Sequence, residues 1–133
     1  MADLLASAVI LAAGVYLAVL GVSCFVRPGS AANFLLGFAS SAFLHYMELA
    51  LRVLVGASLV HNAHALPYPP VFNAFGWVLI VTSLAMCMVP WRWHRQFAQR
   101  AVPQALRYIT LLGACSIALG AVLVAAVVWD SAV

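Results

Sequence analysis

The stretch LLASAVILAAGVYLAVLGVSCFV, residues 4–26, carries no charged side chain and is closed by Arg27, Pro28 and Gly29. A helix needs roughly 20 apolar residues to cross about 30 Å of hydrocarbon, so this run is long enough to span a bilayer. The residues ahead of it include no basic group, and the run exceeds a signal-peptide core, so it is expected to stay attached as the first membrane helix.

Three more runs have the same character. Residues 42–66 form the second, with His45, Glu48 and Arg52 near its start. After the turn Pro67, Tyr68, Pro69 and Pro70, residues 71–89 form the third and stop at Pro90. The fourth covers about 104–129, with Pro103 expected in its first turn, where a missing N–H costs least. The expected fold class is an all-α membrane protein, one integral domain over residues 1–133 with four transmembrane helices gathered as a four-helix bundle.

Composition agrees with the spans. The chain of 133 residues is 67% apolar and 7% charged, with a mean hydropathy of +1.11. A soluble domain carries roughly 25% charged residues to cover its surface. The net charge of +3 comes from six arginines, with no lysine, against Asp3, Glu48 and Asp130. That excess lacks the clustered basic and stacking groups of a nucleic-acid interface, so no nucleic-acid partner is expected. Cys24, Cys87 and Cys115 lie inside apolar runs and are odd in number, which reads as small buried hydrophobes and not as a disulfide framework.

Orientation follows from the arginines, because basic residues near span ends are retained on the cytoplasmic side. Arg27 is in the first loop; Arg92, Arg95, Arg100 and Arg107 are in or beside the third. Residues 61–70 hold none, so both termini are expected outside. Trp91 and Trp93 at the inner end, and Tyr68 and Trp129 at the outer, suit aromatic belts. The mixture Trp91, Arg92, Trp93, His94, Arg95, Phe97 and Arg100 suits a short helix at the interface with its cations toward anionic headgroups. The uncharged first loop, residues 29–41, is expected to dip into the interface or pack on a partner. Arginine without lysine in an alanine-rich chain points to a GC-rich bacterium and an inner-membrane location.

An internal repeat runs through the chain. Gly14, Gly21 and Pro28 stand seven apart, and Gly76, Ser83 and Pro90 reproduce that spacing 62 residues on. Ala50, Leu51 and Arg52 recur as Ala105, Leu106 and Arg107, 55 residues on. The expected units are about 4–66 and about 71–129, parallel repeats about an axis along the membrane normal. Residues seven apart share a helical face, so Gly14 with Gly21, Gly76 with Ser83, and Gly113 with Gly120 form grooves of small residues for close helix packing.

His45, Glu48 and Arg52 lie on one face of the second span. Ionisable residues inside a span are usually paired and often functional. An intrahelical Glu48 to Arg52 ion pair near the inner edge is the first reading; a polar site for a substrate, proton or partner, and a haem or quinone contact at His45, are the others. His61 and His64 beside Asn62 have metal-ligand spacing without further ligands, and Met86, Cys87, Met88 and Cys24 offer soft sulfur that packing explains as well. No metal or cofactor is therefore expected. Serine and cysteine candidates lack a base and an orienting acid, so no catalytic residue is assigned. The expected role is a non-enzymatic accessory or scaffold subunit, embedded in the lipid bilayer, that binds other membrane proteins or forms a homo-oligomer. A small oligomeric transporter or channel using the polar face of the second span is the alternative, and a haem- or quinone-carrying subunit the third.

Overall fold

The computed structural model describes residues 1–38 and 40–132, and among these it contains helices and no strand. Ala39, in the first loop, and Val133 lie outside the described residues. Four long helices form the spans: α1 (Ala2–Val26), α3 (Ala42–Asn62), α4 (Pro69–Met88) and α6 (Ile109–Ala132). Two shorter helices lie at the arginine-rich end, α2 (Pro28–Gly37) and α5 (Trp91–Ala105). The four spans are long and apolar enough to cross a membrane.

The ends of these helices follow from local chemistry. Pro28 starts α2 at a position where no N–H is needed, and the chain breaks from α1 at Arg27, whose N–H still donates to the Ser23 carbonyl at 2.8 Å. The uncharged first loop is thus a helix, held against α1 by the Phe34 ring, 6.3 Å from that of Tyr16. Ser41 caps α3, its hydroxyl accepting from the Leu44 N–H at 3.2 Å. A 3-10 turn, Ala63–Ala65, ends α3, and Tyr68 enters α4 through the left-handed region at φ 59° before the two prolines. Pro103 departs from expectation. It sits inside α5, and a 3-10 turn, Leu106–Tyr108, follows before α6 begins at Ile109. Proline lacks the N–H for an i−4 bond, so it loosens the joint between α5 and α6 instead of opening the span.

Packing rests on two antiparallel pairs, α1 with α6 and α3 with α4, joined mainly through α1 and α3. Glycine sets the approach in each pair. A Cβ added at Gly14 would meet Val124 Cγ2 at 2.9 Å, the Gly120 carbonyl at 3.0 Å and Leu123 Cβ at 3.1 Å. A Cβ added at Gly76 would meet Val60 Cγ2 at 2.8 Å, the Gly56 carbonyl at 2.6 Å and Leu59 Cβ at 3.1 Å. The α1 and α6 pair has a second crossing, where a Cβ at Gly21 would meet the Gly113 carbonyl at 2.6 Å. In α4 the corresponding groove residue is Ser83, fully buried, its hydroxyl without a hydrogen-bond partner.

Ile10, Leu59, Leu66, Phe72, Leu123 and Ala126 form the core, toward the end of the bundle that holds Pro67 and Pro69. There α1 is tied to α3 by polar contacts as well, Asn62 donating to Ser7 at 2.8 Å and His61 facing Asp3 at 2.9 Å. Of the cysteines only Cys24 is buried; Cys87 and Cys115 lie on the outside of the bundle, where an apolar solvent accepts a thiol as readily as a core does.

Gly21→Leu forces a side chain into this crossing and is expected to cost about 1–3 kcal/mol or more. Gly29→Ala meets nothing within 4 Å and is expected to leave stability unchanged. Unfolding of both variants in mixed micelles compares them directly; equal stability of the two would contradict the glycine contact.

Candidate polar site at the arginine-rich end

Ser41 starts α3 so that His45 falls in its first turn, facing inward. The imidazole is fully buried, and neither ring nitrogen has a hydrogen-bond partner. That is unusual, since most buried polar side-chain atoms in folded proteins are paired. Against it lies the His94 ring of α5, centroid to centroid 4.3 Å with the planes 32° apart, and the Tyr46 ring of its own helix is at 5.1 Å.

Helix α5 brings His94 there through its own spacing. Trp91, His94 and Ala98 recur at three and four residues, and these are the positions that α5 turns inward, with Ala98 buried. Trp91 Nε1 is also buried without a partner, while its ring lies under the Arg95 guanidinium at 5.5 Å. Arg92, Trp93, Arg95, Phe97 and Arg100 are exposed, as are Arg27 and Arg107 elsewhere at this end. The short helix expected over this stretch therefore has one side turned to the protein and another that is exposed.

Glu48 and Arg52 continue the face from His45. The closest approach between them is 3.9 Å, with both side chains about one-third exposed. Contacts of this length and exposure contribute little, on the order of 0–1 kcal/mol. Arg52 stands midway along α3 and not near its arginine-rich end, while Arg107 lies in the turn before α6, so the two arginines occupy different levels of their helices. Tyr16 of α1 bears electrostatically on Glu48 and also lines an open groove of about 400 Å³ between α1 and α2, with Leu20, Arg27 and Phe34.

Other candidates are drawn apart. His61 is engaged with Asp3, and His64 Nδ1 lies 3.1 Å from the His61 carbonyl. Among the described residues no three His, Cys, Asp or Glu side chains gather closely enough to hold a metal ion. Metal–imidazole bonds of about 2.0–2.1 Å would set two ligating rings roughly 6 Å apart across an axial iron, so rings 4.3 Å apart leave no room for one between them. What the arrangement offers is a set of ring nitrogens able to bind a proton or a small hydrogen-bonding group.

Two residues of this picture were missing from the sequence reading. In the sequence His94 reads as part of a basic stretch, although its spacing from Trp91 and Ala98 marks one helical face. Gly56, the one glycine of α3, has no second glycine on its helix to mark a groove, and only its contact with Gly76 shows its role.

Replacing a buried, unpartnered polar group by an apolar one of similar shape is near neutral or stabilising, so His45→Ile is expected to keep stability within about 1 kcal/mol of the parent or above it. Thermal unfolding in nanodiscs measures this; a large loss would make the imidazole a structural element.

The chain matches no protein-family model, and no curated protein or solved structure matches it.

Proposed function

We propose that this chain is a small, non-enzymatic membrane subunit that works by assembly, docking other membrane proteins or further copies of itself against its spans. The observation that carries this reading is the unfilled face of α6. Gly113 and Gly120 are buried against α1, whereas Ala114, Ala118, Ala121 and Ala125, on another face of the same helix, are all exposed. Spacings of four, three and four put these alanines in one line, the small-residue pattern that lets a further helix approach closely in lipid. The rest of the chain buries between 17% and 28% of each span, which leaves ample apolar surface for such contacts.

The duplication is part of the same proposal, with a revised register. The crossings at Gly14 and Gly76 meet equivalent atoms, and their partner segments are Gly56-Ala57-Ser58-Leu59-Val60 and Gly120-Ala121-Val122-Leu123-Val124, four of five identical and 64 residues apart. This supports aligning α3 with α6 at 64 in place of 55. Each close pair then joins the first helix of one unit to the second helix of the other. The arginine-rich end, with α2 and α5, is taken as the cytoplasmic face of a bacterial inner membrane, because five of the six arginines lie there.

Transport is the second reading, favoured by the unpartnered imidazole beside Glu48 and Arg52. It requires a flux into liposomes that Glu48→Gln removes.

The assembly reading is tested by purifying the full chain in mild detergent and measuring the mass of the complex. Ala118→Trp is expected to remove a partner or reduce the oligomer to a monomer without lowering helix content. A parent chain that is monomeric and free of partners overturns the reading. The orientation is tested separately with Arg95→Cys in a chain whose native cysteines are replaced: an impermeant thiol reagent outside intact cells is expected not to reach it, and labelling there reverses the assignment.

A further inference from the structure

The two halves of the chain provide a comparison within one molecule, which rests on the duplication proposed above. In the 64-residue register, His45, Glu48 and Arg52 of α3 correspond to Ile109, Leu112 and Ser116 of α6. Both helices make the same kind of glycine crossing with their partners, yet only α3 carries ionisable side chains at these places. Packing therefore does not demand the polar face. The ring contact between His45 and His94 is independent of this comparison and stands on the geometry alone.

We infer that His45 and His94 form a proton-binding site whose occupancy decides whether α5 stays docked on the bundle. Two neutral imidazoles stack without electrostatic penalty and exclude water from the buried ring of His45. Each ring takes up a proton from water at a nitrogen lone pair and becomes a cation. With both protonated, two positive charges stand in ring contact beside a region sealed from solvent, and separation of the rings relieves the repulsion. Histidine is the side chain whose ordinary charge change lies between about pH 5 and 8, so this is the range over which the site is tested.

Neighbouring charges leave the repulsion largely uncompensated. Glu48, on the same helix, bears on His45, but it also faces Arg52 at 3.9 Å; Tyr16 of α1, near Glu48, carries no charge to share. From α5 the titratable group is His94, flanked by the arginines at 92 and 95; Tyr46 contributes a ring face beside His45. Helix α5 has few other anchors, since it lies close to α2 and meets α3 through His94. Separation of the rings removes a contact between α5 and α3, and Ala98, buried one turn beyond His94 on the same face of α5, reports whether the helix has moved.

The test uses the full chain in nanodiscs, with Cys24→Ala, Cys87→Ala and Cys115→Ala, carrying either Ala98→Cys or the exposed control Gln96→Cys. The ratio of thiol labelling rates, first position over second, cancels the reagent's own pH dependence. It is expected to rise roughly ten-fold between about pH 7.5 and pH 5.5, and to stay flat once His45→Ile or His94→Phe is added. A flat ratio in the parent chain, or a rise that survives His45→Ile, overturns the proposal. Nitrogen NMR of labelled histidine in the unsubstituted chain decides the matter even if a variant fails to fold. The two rings are expected to protonate in two distinct steps, as coupled sites do. A single unsplit step overturns it, and neither outcome depends on whether α6 finds a partner.

Discussion

Close backbone approach at glycine is the constraint on which the rest of this molecule depends. Lipid tails are as apolar as leucine, so burying a leucine between helices gains little, and the contacts that count are dense packing and satisfied polar groups. At Gly14 with Gly120, Gly21 with Gly113 and Gly56 with Gly76, the helices come so near that even a methyl group would strike a carbonyl oxygen. Those crossings fix the two pairs, and the larger side chains then fit around them. Ile10 and Phe72, Leu59 and Leu123 fill the space where the pairs meet. The same logic explains why large residues such as Leu4, Val19, Trp77, Val81 and Leu111 point outward without penalty.

Polar groups divide the bundle into two unlike ends. Toward Pro67, polar side chains find one another, Ser7 with Asn62 and Asp3 with His61, and they tie α1 to α3. Along the spans, Ser23, Ser58 and Thr82 return their hydroxyls to carbonyls one turn earlier, which satisfies them within their own helices. Toward the arginines, His45 and Trp91 are buried with ring nitrogens unmet, and Ser83 lies buried and unmet in α4. At the Pro67 end Asn62 Oδ1 is also unmet, but its amide nitrogen is paired with Ser7, whereas both ring nitrogens of His45 and the indole nitrogen of Trp91 are unmet near the arginines.

The spans were legible in the sequence because length and the absence of charge are local properties, and lipid punishes any violation of them. Gly14, Gly21, Gly113 and Gly120 were legible as packing residues for a related reason: seven-residue spacing is a property of a single helix. What escaped was relational. Nothing along the sequence shows that Gly120 faces Gly14 or that Gly56 faces Gly76. The joint at Pro103 was misplaced because proline suits a first turn and a loosened last turn about equally well by residue type alone. His94 escaped because its importance lies in a ring contributed by another helix, and its own helix reads first as a basic interfacial segment.

The joint also bears on how the two proposed surfaces are related. From Trp91 to Ala132 the chain runs as α5, a 3-10 turn and α6, so the helix that carries His94 leads directly into the one that carries the open alanine line. A continuous α-helix would transmit any tilt of α5 rigidly, whereas a flexible loop would transmit none. The 3-10 turn after Pro103 lies between these limits: hydrogen bonding persists through Leu106–Tyr108, but the proline has removed one bond of the α-helical ladder ahead of it. Movement of α5 is therefore taken up first at that joint, and the start of α6, where Ile109 and Leu112 precede the glycine crossing at Gly113, is the next segment it can reach. The two glycine contacts on α1 hold α6 against such movement further along. The face of α6 nearest the joint, around Ala114, is consequently the part of the proposed docking surface closest to the histidine pair along the chain.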